Sequence, residues 1–144
     1  MHGVRLGLAV AAVVAASLFS SCGGTITDSY TIEHQPAVAE PVPGSDHARV
    51  TVEQDAVERL RIRTTQVEKA VGGLVVPSAA VFVDPEGQWW VYTSPERFVY
   101  ERHEVFVERE DGGNAFLSRG PSVGSKVVTR GAPELYGVED ESGH

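Results

Sequence analysis

The chain predicts a mainly β fold, a small β-roll or barrel-like module with one short helix at its start. Short runs rich in Val, Thr and aromatic residues alternate with glycine-bearing breaks at Gly72-Gly73, Gly112-Gly113, Gly124 and Gly131. One break, Asp84-Pro85-Glu86-Gly87, has the residues of a type I turn: aspartate to cap it, proline to preset the backbone, glycine to leave it. Helical periodicity belongs to a single short stretch, Thr51 to Leu60.

The first segment of the chain lies outside that module. Val4 to Phe19 is apolar apart from Arg5, and too short for a confident membrane span, which needs about 20 apolar residues. A positive start, an apolar middle and small residues at the exit describe a secretory signal over residues 1–21. The exit, Leu18-Phe19-Ser20-Ser21-Cys22, resembles the bacterial lipobox, which implies a lipidated Cys22 at the mature N-terminus; Phe19 stands where that pattern usually has a smaller aliphatic. Cys22 is the one cysteine, so no internal disulfide is open to it, and the alternative is ordinary cleavage beside a stray thiol. The resemblance implies the cell envelope, with the protein lipid-anchored and facing the periplasm or the outer face of the membrane. Residues 22–48, with Pro36, Pro41, Pro43 and Gly44 and no sustained period, are expected to be a flexible tether.

Within the folded part, expected over 49–136, Thr51 and Gln54 fit a capping box, and Val52, Ala56, Val57 and Leu60 share one helical face. Ile62 to Val71 suits an extended segment. Leu74 to Val83 then runs into the proline turn and returns as Trp89-Trp90-Val91-Tyr92, the clearest hairpin in the chain. Phe98 to Val107 alternates without a purely apolar face, as one strand of a small curved sheet would. Asp111 to Asn114 turns into Ala115–Ser118, and a last strand covers Lys126 to Thr129. Residues 137–144 are expected to be a disordered acidic tail.

A net charge of -8 repels phosphate backbones, so nucleic acid is not an expected partner. No nucleophile with a base, carboxylate pair or open metal site is recognisable, and neither catalysis nor a cofactor is expected. The chain has no methionine after Met1 to serve as a soft metal ligand. His34, His47, His103 and His144 are not spaced as ligands of one local site. Trp89 and Trp90 are adjacent, so in a strand they face opposite sides, one toward a core and one toward a partner or a second small core. Together with Arg97, Arg102, Arg119 and Arg130 they are the candidates for partner contact, the arginines being equally compatible with solvated pairing to nearby glutamates.

Four strings in order carry a family resemblance: Val76-Pro77-Ser78-Ala79-Ala80-Val81; Gly87-Gln88-Trp89-Trp90-Val91-Tyr92; Phe98 with Arg102 and Val105; and Gly120 through Leu135, which contains Gly124-Ser125-Lys126-Val127-Val128-Thr129-Arg130-Gly131. They resemble the C-terminal segment of periplasmic adaptor subunits, the membrane fusion proteins of RND-type efflux pumps. Pro121 stands where that family usually has Leu, and Ser125 where it often has Asp. Val50 to Val67 is similar to the family's opening segment. The resemblance spans roughly Arg49 to Tyr136 and implies that the two ends of an adaptor are joined directly at Gly72-Gly73 into its membrane-proximal module. The β-barrel, lipoyl-like domain and helical hairpin that separate them in a whole adaptor are missing here. The implied partner is an RND-type inner-membrane transporter or its full-length adaptor, with the membrane engaged through the lipid anchor. A second reading is a periplasmic metal-binding or sensing lipoprotein; a third is a remnant of a full adaptor.

Overall fold

The computed structural model describes residues 35–142. The signal, Cys22 and the first part of the tether lie outside the described residues. The fold is mainly β. One sheet, in spatial order, holds β1 (Ala37–Pro41), β2 (Ala48–Val52), β8 (Val99–Glu104), β7 (Trp89–Glu96), β11 (Lys126–Arg130) and β3 (Arg63–Gln66), with the two-residue β6 (Phe82–Val83) also on β7. The second sheet runs β4 (Glu68–Ala70), β5 (Gly73–Pro77), β10 (Asn114–Arg119), β9 (Phe106–Asp111). Helices α1 (Gln54–Leu60) and α2 (Ala132–Ser142) complete it, with a 3-10 turn at Ser78–Ala80. No helix among the described residues is long and apolar enough to cross a membrane.

Neighbouring residues on the central strands serve two different cores. Val91 and Val127 join Val67, Val76, Val105 and Leu117 between the two sheets. Tyr92 and Val128 join Val50, Ile62, Tyr100 and Leu135 between the first sheet and the helices. A strand buried on both faces has little room for polar residues, which is why Val91-Tyr92 and Val127-Val128 are continuous apolar pairs.

Several sequence expectations change here. The tether ends earlier than position 48, because Ala37–Pro41 pairs with β2 in unbroken register from Ala37↔Val52 to Pro41↔Ala48. The alternation of Phe98 to Val107 is two strands in two sheets. Val105 is the corner: its N–H donates to the Trp89 carbonyl (2.9 Å), its side chain is buried, and the chain leaves one sheet for the other. The tail, expected from 137, is helical to Ser142, because Val138 packs against the helix-side core and Glu139 is buried.

The proline turn forms as the sequence predicts, with Phe82↔Trp90 and Val83↔Trp89 paired and the Gly87 N–H donating to the Asp84 carbonyl (3.0 Å). The helix start differs from a capping box: Thr51 is committed to the ladder opposite Val38 and Val99, and the cap position falls on Glu53. Helix α1 ends on Arg61, whose φ of 53° is left-handed, while the Ile62 N–H reaches back to the Val57 carbonyl (3.1 Å). An L side chain in that conformation costs about 1 kcal/mol or more. Arg61→Gly is therefore expected to stabilise the fold by about 0.5–1 kcal/mol in urea unfolding, and a loss of stability would contradict this account.

Candidate functional site

The richest polar cluster lies where α2 covers the first sheet. Glu139, 7% exposed, sits on the buried side of α2 and accepts from three separate elements. The Ala48 N–H on β2 donates to Oε1 (3.0 Å), Arg102 Nε on β8 to the same oxygen (3.0 Å), and the Tyr92 hydroxyl on β7 to Oε2 (2.5 Å). Burial, reinforced by this bond and the negative charge of Glu139, pushes the Tyr92 phenol well above its usual range, so it stays a donor. The Arg102 guanidinium is also flanked by aromatic rings, 4.7 Å from the Trp90 centroid and 5.5 Å from that of Tyr136.

Trp90 is fixed by the turn that precedes it. Its indole Nε1–H donates to Asp84 Oδ2 (2.7 Å), and the Gln88 N–H donates to Asp84 Oδ1 (2.8 Å). Desolvation pushes the Asp84 carboxyl up, but these donors outweigh it and hold the group below the usual carboxylate range. His47, in the segment between β1 and β2, meets the Trp90 ring edge-on at 6.0 Å and bonds Ser45 Oγ through Nδ1 (2.7 Å). The hydrogen bonds of Glu139 are satisfied within the fold, so this cluster is first of all the clasp that holds α2 to the sheet.

Of the six sequence candidates for partner contact, the structure places Trp90 and Arg102 inside that clasp, and Arg119 lines a cleft beside them with His47 and Glu104. Trp89 points to the other face of β7 and is 40% exposed, beside its exposed cross-strand partner Val83. Arg119 lies over the exposed Phe106 ring (3.8 Å) and reaches Glu104 at 3.7 Å. Val83 and Trp89 on the first sheet and Phe106 and Arg119 on the second lie to either side of the Val105 corner, where the Val105 N–H bonds the Trp89 carbonyl. Arg97 stacks on Phe98 (4.5 Å) at the β7–β8 turn, remote in register from Trp89, and Arg130 is exposed at the end of β11.

Sequence reasoning missed Glu139, Tyr92 and His47. Glu139 stood among other acids in an apparent tail, and its one available signal was a four-residue spacing from Leu135 that places both on the same side of a helix. Among the described residues, no group of three or more His, Cys, Asp or Glu is arranged to hold a metal ion. Compared with known proteins, the chain matches no family model and no curated protein.

Proposed function

We propose that this is a lipid-anchored, non-catalytic protein of the bacterial cell envelope that docks with an RND-type efflux transporter or with its full-length adaptor. The observation that carries the reading is the interlock of the chain's opening and closing segments. Strand β2 pairs with β8 through Arg49↔Glu101, Val50↔Tyr100 and Thr51↔Val99, and β3 pairs with β11 from Lys126↔Gln66 to Arg130↔Arg63. That is the arrangement expected if the two ends of an adaptor close into one module with only the β4–β5 hairpin between them. The exposed aromatics Trp89 and Phe106 to either side of the Val105 corner suit a binding surface, since large apolar side chains left in solvent are enriched where partners dock.

A photoreactive residue at position 89 tests this in membranes. It is expected to capture an inner-membrane transporter or a full-length adaptor, and recovery of unrelated proteins alone would count decisively against docking. In the same cells, Cys22→Ser is expected to move the protein into the soluble fraction. A substituted protein that stays with the membrane would make the apolar run from Val4 to Phe19 the anchor instead.

A further inference from the structure

A groove of about 820 Å³ opens between the β7–β8 turn, the end of α1 and the loop before β11. Its volume lies in the range of small-molecule sites, about 300–1,000 Å³. Its lining is mixed, with Val57, Ile62, Phe98 and Pro121 as apolar members. Around them stand the hydroxyls of Thr64, Ser122 and Ser125, and two cations, Arg97 and Lys126.

The charge of this groove runs against that of the chain. The whole protein carries -8, yet the groove is lined by two cations, Arg97 and Lys126, against one acid, Glu96. Among the described residues the ion pairs are Arg49–Glu101, Arg102–Glu139, Arg109–Asp111 and Arg119–Glu104, and neither Arg97 nor Lys126 takes part in one. Burial and the neighbouring His47 lower the His103 pKa, so its ring there is an uncharged hydrogen-bonding group.

The groove is also held in shape. Phe98 has a left-handed backbone (φ 67°), a conformation a bulky residue adopts only under constraint, and its carbonyl accepts from the Val52 N–H (2.9 Å). This lock sets the Phe98 ring in the lining with the Arg97 guanidinium above it. On the opposite wall, the Gly124 N–H donates to the Val67 carbonyl and the Val67 N–H to the Ser125 carbonyl, both at 2.8 Å.

We propose that the groove binds a small amphiphilic organic anion. The carboxylate or sulfonate pairs with Lys126 and Arg97, and an apolar body lies on Val57, Ile62 and Phe98. This does not depend on docking with a transporter, and its test involves no partner.

Isothermal titration calorimetry of the purified protein with naphthalene-1-acetate as probe, against the uncharged naphthalene-1-acetamide and inorganic phosphate, reads both halves of the site. Saturable one-to-one binding of the carboxylate is expected, roughly tenfold tighter than the amide, because a hydrogen bond to a charged group is worth about that factor. The double variant Arg97→Gln/Lys126→Gln, changed only at exposed residues, is expected to bind the carboxylate at least tenfold more weakly. Thr64→Trp, which fills the groove but keeps both cations, is expected to abolish binding. The proposal is overturned if the carboxylate gives no saturable heat, if the amide or phosphate binds as tightly, or if the double variant or the filled groove binds unchanged.

Discussion

Glu139→Ala is expected to cost about 3–5 kcal/mol of unfolding free energy, the largest effect of any single substitution in the α2 clasp. The loss comes mostly from what stays behind. The Arg102 guanidinium, 15% exposed as a side chain, would remain charged among Trp90, Tyr136 and the core without its carboxylate. The Ala48 N–H and the Tyr92 hydroxyl would lose their acceptors at the same time. Small domains have about 5–15 kcal/mol in all, so such a variant would be marginal at 37 °C. Urea unfolding followed by circular dichroism measures the loss. The triple variant Glu139→Leu, Arg102→Met, Tyr92→Phe removes the stranded charge and hydroxyl together and is expected to recover much of the stability, since apolar replacement of a buried ion pair is often close to neutral. A loss below about 1 kcal/mol for Glu139→Ala alone would mean that solvent reaches Arg102 freely and the clasp is not what holds the helix.

Gly73→Ala is the second large effect, and its neighbour supplies the control. A Cβ on Gly73 would lie 2.1 Å from the Leu117 carbonyl oxygen, where β5 and β10 run side by side in the register Leu74↔Leu117. Backbone cannot step aside as a flexible side chain would, so the ladder must open or shift, at about 3 kcal/mol. Gly72 has a left-handed φ of 84° with nothing within 4 Å of the same added atom, so Gly72→Ala carries only conformational strain of about 1–2 kcal/mol. The two urea midpoints, measured side by side, decide it. Equal midpoints would show that β5 relaxes away from β10 and that the close approach is not needed.

These glycines mark how far the sequence could be read. Gly72-Gly73 was legible as a break, because glycine pairs interrupt strands, but the reason for the second glycine lies 44 positions away at Leu117 and leaves no local trace. The hairpin around Asp84-Pro85-Glu86-Gly87 was legible because its determinants sit within four residues. The β8–β9 corner was not, since Val105 continues the alternation of its neighbours and only the partner strands show that the chain changes sheet there. The ends of the module were missed for one physical reason. Ala37–Pro41 has Pro at its end, and residues 137–142 are acidic toward a helix C-terminus, where the helix dipole disfavours negative charge. Both segments look unstructured by composition and are ordered by tertiary bonds, to β2 in one case and through Glu139 in the other. Of the proposed contact residues, the opposite facing of Trp89 and Trp90 followed from strand geometry alone; the capture of Arg102 by Glu139 did not.

Because Val91 and Tyr92, like Val127 and Val128, send adjacent side chains into different cores, β7 and β11 form a party wall between them. Neither compartment can melt and leave the other intact, since each would lose the strands that make its side. Damage on the helix side is thus felt between the sheets, and a partner that steadies one compartment steadies both. In so small a module, two cores behave as one cooperative unit.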